Sequence, residues 1–141
     1  MSALTTALHS ALRWVVLAAG VLAIVRFTAG WFRGSAWSRL DDRLTLAFAV
    51  SVDVQWVVGL VLYLGVSVLG GTALASEGLG IVRSPELRFW AIVHPLLATA
   101  ALALAHVARI KLRSVTAATA RHRLAALSFG GAVALLLAAV R

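Results

Sequence analysis

Four apolar segments, each long enough to cross a lipid bilayer as a helix, dominate this chain: about 6–30, 44–69, 88–110 and 120–140. A hydrocarbon core of about 30 Å takes roughly 20 helical residues to cross. Inside it, each backbone N–H and C=O must find its partner within the protein, which leaves little but a helical bundle. The connections WFRGSAWSRLDDR, GGTALASEGLGIVRSPE and KLRSVTAATAR are short enough to join antiparallel neighbours. The expected fold is therefore all-α and integral to the membrane: one domain of 141 residues, an up-down-up-down four-helix transmembrane bundle. Gly70 and Gly71 are expected to end the second span, and Ser84-Pro85-Glu86 to cap the third.

Composition removes the soluble alternative. Apolar residues make up 62% of the chain and charged residues 13%, against about 45–50% and 25% in soluble domains. Mean hydropathy is +0.97. One small core cannot bury so much apolar surface, so lipid must cover the rest. The chain has no cysteine, which excludes disulfides, thiolate metal sites and c-type haem attachment. Its net charge of +8 comes from residues flanking the apolar segments, the positive-inside pattern rather than a nucleic-acid-binding surface.

That charge also orients the bundle. Arg26, Arg33, Arg39, Arg43, Arg109, Lys111, Arg113, Arg121 and Arg123 lie at the first and third connections, and only Arg13, Arg83, Arg88 and Arg141 on the opposite side. The nine-to-four division puts the first and third connections in the cytoplasm, and both termini and the 71–87 connection outside. MSALTTALHS lacks the basic n-region of a signal peptide, so the first segment is expected to be retained. Trp14, Trp31, Trp37 and Trp90 lie near span ends and are expected as interfacial anchors.

Polar groups within spans are costly and raise a functional question by default. Here they are His9, Arg13, Asp53, Gln55, His94 and His106, with His122 opening the fourth span. At 1.5 Å of rise per residue, His9 and His94 fall on the outer side, and His106 and His122 on the inner side. Helices one and three are diagonal in an up-down bundle. His9 and His94 can therefore face each other across its axis, as two axial ligands of a haem iron must. His9, Arg13 and Gly20 share a stripe on span one, and Leu87, Ala91, His94, Ala98, Ala101 and Ala105 share one on span three. Small residues there leave room for a flat macrocycle, or simply let helices pack closely.

His94 and His106, twelve residues apart, differ by about 120° around the helix. One haem is accordingly more natural than two. His106 and His122 offer a second, inner site, but among Arg109, Arg121 and Arg123 they also suit anionic lipid headgroups. Arg13 and Arg88 can pair with propionates or snorkel to the outer headgroups. Gln55 can bond an imidazole, a quinone carbonyl or a neighbouring helix. Asp53 can relay protons or pair with a basic group.

LHSALRW at 8–14, LDDRLTLAF at 40–48, VQWVVGLVLYL at 54–64 and LRFWAIVHP at 87–95 together resemble a family of small bacterial four-span membrane proteins labelled cytochrome b or cytochrome b-like. The resemblance runs through nearly the whole chain, in order. It implies haem b as cofactor, a location in the bacterial inner membrane, and His9, Arg13, Gln55, Arg88 and His94 as site positions. His106 and His122 match less well. Val93 departs from the pattern, because many relatives carry glutamate just before the span-three histidine.

The leading expectation is a membrane b-type cytochrome with His9 and His94 as axial ligands. It would exchange electrons by outer-sphere transfer with a quinol or a small periplasmic partner. The alternative is a non-catalytic membrane subunit of a larger complex, its histidines in structural hydrogen bonds. Copper or zinc handling ranks lower: with no cysteine and Met1 as its one methionine, the chain lacks soft ligands. A transporter would need oligomerisation to form a pathway. Lipid is an expected partner and nucleic acid is not; a homo-oligomer is compatible with the sequence.

Overall fold

The computed structural model describes residues 2–66 and 83–140. Helix α1 spans Ser2–Arg33. Helix α2 spans Arg39–Val61 and continues into a π-helical turn at Leu62–Val66. Helix α3, Pro85–Leu112, begins with one α turn, passes through a π turn at Phe89–Val93 and runs as regular α-helix over His94–Leu112. Helix α4 spans Ala118–Ala138. By length and composition α1, α2 and α3 can each cross a membrane. The expected stop at Gly70 and Gly71 lies outside the described residues.

Helices α2 and α3 start at side-chain caps. Ser38 caps α2, accepting from Asp41 N while the Asp41 carboxylate accepts from Ser38 N, a reciprocal capping box. That box explains why α2 begins at Arg39, ahead of the apolar run from 44. Ser84 caps α3 in the expected way, with Pro85 in the first turn, where a missing N–H costs nothing. Inside α3, Pro95 has no N–H to offer the Ala91 carbonyl one turn back. The helix widens into its π turn just before that proline, and the Tyr63 hydroxyl of α2 donates to the Ala91 carbonyl at 3.0 Å.

The helices close into a ring. α1 packs on α2 and α4, α3 packs on α4 and more sparingly on α2, so α1 and α3 lie across from each other. Buried positions recur at alternating steps of three and four residues: 16, 20, 23, 27 and 30 on α1; 41, 45, 48 and 52 on α2; 101, 105, 108 and 112 on α3; 122, 125, 129 and 132 on α4. This is the spacing of left-handed knobs-into-holes packing. Phe27, Phe48 and Phe129 fill the centre, surrounded by alanines from α3 and α4. The solid core thus occupies the half of the bundle nearer the α1–α2 and α3–α4 connections.

Close approach requires glycine at two points. A Cβ on Gly20 would come within 2.5 Å of Val133 Cγ2 and 2.9 Å of Phe48 Cε2. A Cβ on Gly30 would stand 2.5 Å from His122 Cε1 and Nδ1. His122 is fully buried, between Trp37 at 4.9 Å and Phe27 at 6.3 Å between ring centres. Overpacking such a contact costs about 1–3 kcal/mol. Gly30→Ala is therefore expected to lower the melting temperature of detergent-solubilised protein. A His122→Ala change in the same chain, by removing the ring in the way, should offset part of that loss. Equal melting of wild type and Gly30→Ala would refute this account of the contact.

Candidate functional site

The seams that fill the core near the connections continue toward the other end, but there they carry polar residues. Steps of three and four residues place His9 and Arg13 on the α1 seam, Gln55 and Gly59 on that of α2, Ala91, His94 and Ala98 on that of α3, and Leu136 and Ala139 on that of α4. All of them line a cavity of about 660 Å³, within the roughly 300–1,000 Å³ of small-molecule and cofactor sites. Val16 and Val52 form its floor against the core, and Leu17, Trp56, Leu60 and Pro95 supply apolar wall. The expected stripe of small residues on α3 is divided by depth: Ala91 and Ala98 face the cavity, while Ala101 and Ala105 are fully buried in the core.

His9 and His94 meet here. Their ring centres are 6.2 Å apart, with ring planes at 70°. The Ala139 carbonyl lies 2.8 Å from His94 Nδ1. A carbonyl only accepts, so Nδ1 carries a proton, and in the neutral ring Nε2 is the free acceptor. Metal-bound histidines are commonly oriented by such a bond. His9 is held by Gln55, whose Nε2 donates to the His9 carbonyl at 3.1 Å and lies 3.4 Å from His9 Nε2. Gly59 backs the ring: a Cβ there would stand 3.0 Å from His9 Cε1. Trp90 closes on His94 at 5.4 Å between ring centres, and its indole N–H donates to Glu86 at 2.7 Å.

Several polar atoms of this cavity are unpaired. His9 Nδ1, Arg13 Nε and Gln55 Oε1 are buried and make no hydrogen bond, a cost seldom carried without a purpose. Two imidazoles at this separation could both bind one metal, each at about 2 Å. Among the described residues no three His, Cys, Asp or Glu side chains are grouped around a bare ion. Two imidazoles facing one cavity among small apolar side chains are a donor set that could hold a haem.

The other expected positions divide. Arg13 lines the cavity with its guanidinium 5.4 Å from the Trp14 ring centre. Arg88 is exposed at the start of α3, away from the cavity lining. His106 and His122 look to different helices. His106 Nε2 is 2.7 Å from Asp53 Oδ1 on α2, whereas His122 is buried against Gly30 of α1 with neither ring nitrogen hydrogen-bonded. Among the tryptophans, Trp14 is exposed, as an anchor would be, but Trp37 and Trp90 face the histidines. Trp37 is further held by its N–H to Asp42 at 2.8 Å and by Arg121, 4.4 Å over its ring.

Sequence reasoning missed the Ala139 carbonyl, Gly59 and Tyr63. The seam spacing that reaches position 59 from Val52 could have found Gly59, and Pro95 could have flagged an unpaired Ala91 carbonyl. No protein-family model, curated protein or solved structure matches this chain.

Proposed function

We propose that this protein is a b-type cytochrome of the bacterial inner membrane, with one haem b held between His9 and His94. The observation that carries the reading is two imidazoles from facing helices, 6.2 Å apart between centres, in a cavity with unpaired buried donors and acceptors. It agrees with the resemblance to small bacterial four-span proteins labelled cytochrome b. Haem held by two imidazoles supplies a one-electron couple with no open iron position, and hence outer-sphere transfer. The chain orients both rings, through Ala139 for His94 and through Gln55 and Gly59 for His9. Arg13 offers a guanidinium to a propionate, and Arg88, outside the cavity lining, adds positive charge at the exposed start of α3. The electron donor is a membrane quinol or a small periplasmic reductant.

In this reading all four helices cross the membrane, with the arginine-rich connections in the cytoplasm and both termini outside. The polar start of α4 suits that arrangement. His122 is buried in the bundle, and Arg121 pairs with Asp42 at 3.5 Å, so these groups are turned away from lipid. The haem then lies near the outer face.

An oxidised-minus-reduced optical spectrum of protein purified from haem-replete cells tests the proposal. Sharp low-spin b-type bands are expected; a colourless protein would overturn it. The same interhelical bonds, Gln55 to the His9 carbonyl and His94 to the Ala139 carbonyl, favour a second reading as a non-catalytic subunit. A colourless protein co-purifying with a larger complex would support that one.

A further inference from the structure

One pair of ionisable groups stands off the packing seams. Asp53 and His106 each follow a buried seam residue, Val52 and Ala105, by one position. Their side chains are 39% and 43% exposed, and they meet at 2.7 Å. The pair thus sits on the exposed side of α2 and α3, toward the inner end of α3 and one turn from Arg109. An ionisable pair turned outward there needs a reason beyond helix packing. Its surroundings supply one.

The pair belongs to the α2–α3 seam, the sparsest contact between neighbouring helices in the ring. That seam is bridged by polar bonds. Besides Asp53 and His106, the Trp56 N–H donates to Thr99 Oγ1 at 3.1 Å, and Tyr63 donates to the Ala91 carbonyl. Trp56 follows Asp53 by three residues, so the two are neighbours on one helix face. Trp56 and Thr99 also line the cavity that holds His9 and His94. Asp53 is two residues, about 3 Å of rise, from Gln55, which holds His9. The ion pair and the Trp56 indole thus lie along one sparse seam, and Trp56 and Thr99 of that seam form part of the cavity wall.

We propose that this seam binds a membrane-dissolved hydroquinone, its ring against Trp56 and one hydroxyl hydrogen-bonded to the Asp53–His106 pair. Such a molecule reaches the seam by partition into lipid, presents an O–H donor, and has an aromatic face. With His106 Nε2–H donating to Asp53 Oδ1, Oδ2 is the acceptor for that hydroxyl. The inference rests on the electron-transfer reading for its purpose, since it names the donor class, but binding at the seam does not require the haem.

The test uses full-length protein in lipid nanodiscs, prepared with and without haem supply, titrated with a decyl-tailed benzohydroquinone and followed by tryptophan fluorescence. Saturable quenching is expected in both preparations. Asp53→Asn, which keeps the size of the side chain, and His106→Gln should each weaken binding about ten-fold or more, the effect of losing a charge-assisted hydrogen bond. Unchanged melting of the Asp53→Asn protein identifies that loss as one of binding. Trp56→Phe should remove most of the quenching amplitude. The inference is overturned by non-saturable quenching, by equal affinity in both polar variants, or by equal competition from decylbenzene, which has no hydroxyl. A colourless protein that still binds the hydroquinone would retain this site and sink the haem assignment. A pigmented protein that binds none would do the reverse.

Discussion

His94→Ala protein is expected to accumulate in the membrane, purify as a folded bundle and carry almost no haem. The two halves of that expectation have separate causes. For the fold, the substitution removes one interhelical hydrogen bond, His94 Nδ1 to the Ala139 carbonyl, worth about 1 kcal/mol. Alanine is also a better helix former than histidine, and the ring lost faces a cavity rather than filling the core. For the cofactor, the substitution removes one of the two imidazoles proposed to hold it. Even loss of an outer-shell partner commonly costs about 10–100-fold in metal affinity, and loss of a ligand should cost at least as much. Haem per protein, from the pyridine haemochromogen spectrum, should fall more than about ten-fold in both His9→Ala and His94→Ala. His122→Ala should keep its pigment while melting lower, because that ring is packed against Phe27, Trp37 and Gly30 at the other end of the bundle. Pigment lost from His122→Ala and kept in His94→Ala would move the site to the wrong end and defeat the assignment.

The contrast between those two histidines marks what a sequence can reveal about such a chain. His9, Gln55 and His94 stand out because each interrupts an apolar helix, and His94 does so on a stripe of alanines with the period of packed helices. Depth follows from rise per residue and orientation from arginine counting, so the pairing of His9 with His94 needs no coordinates. The partner of His106 does not follow in this way. Asp53 lies on the adjoining helix one position off its seam, and one residue of helical phase decides whether it faces the axis or lipid. The π turn before His94 changes that phase within α3, and its cause, the missing N–H of Pro95, is local while its result, a carbonyl bonded to Tyr63, is not. Trp37 shows the same limit. Position near a span end favours the interface, but the short α1–α2 connection folds the indole back over His122.

Asp41→Ala should be among the most destabilising single changes in the molecule, although Asp41 lies far from the cavity. Its carboxylate is fully buried. It accepts from Arg26 Nε at 2.8 Å and Nη2 at 3.2 Å, from Ser38 N at 2.8 Å and from Ser38 Oγ at 2.7 Å. It also sits in the first turn of α2, where a negative charge is favoured by the helix dipole. Alanine removes half of the capping box and strands the Arg26 guanidinium, together worth about 2–4 kcal/mol. The lower part of that range applies, because Arg26 is 32% exposed and can turn toward the headgroups. Asp41→Asn, which retains an acceptor for Ser38, should lose less. Replacing the pair by Arg26→Met with Asp41→Leu should recover much of the stability lost by Asp41→Ala, since the desolvation of both charges disappears along with their attraction. Thermal unfolding in detergent, followed by helical circular dichroism, ranks the three variants. If Asp41→Ala melts with wild type, or if the apolar pair melts below it, the carboxylate is not what joins α1 to the start of α2, and packing of Trp37 on Phe27 becomes the better explanation.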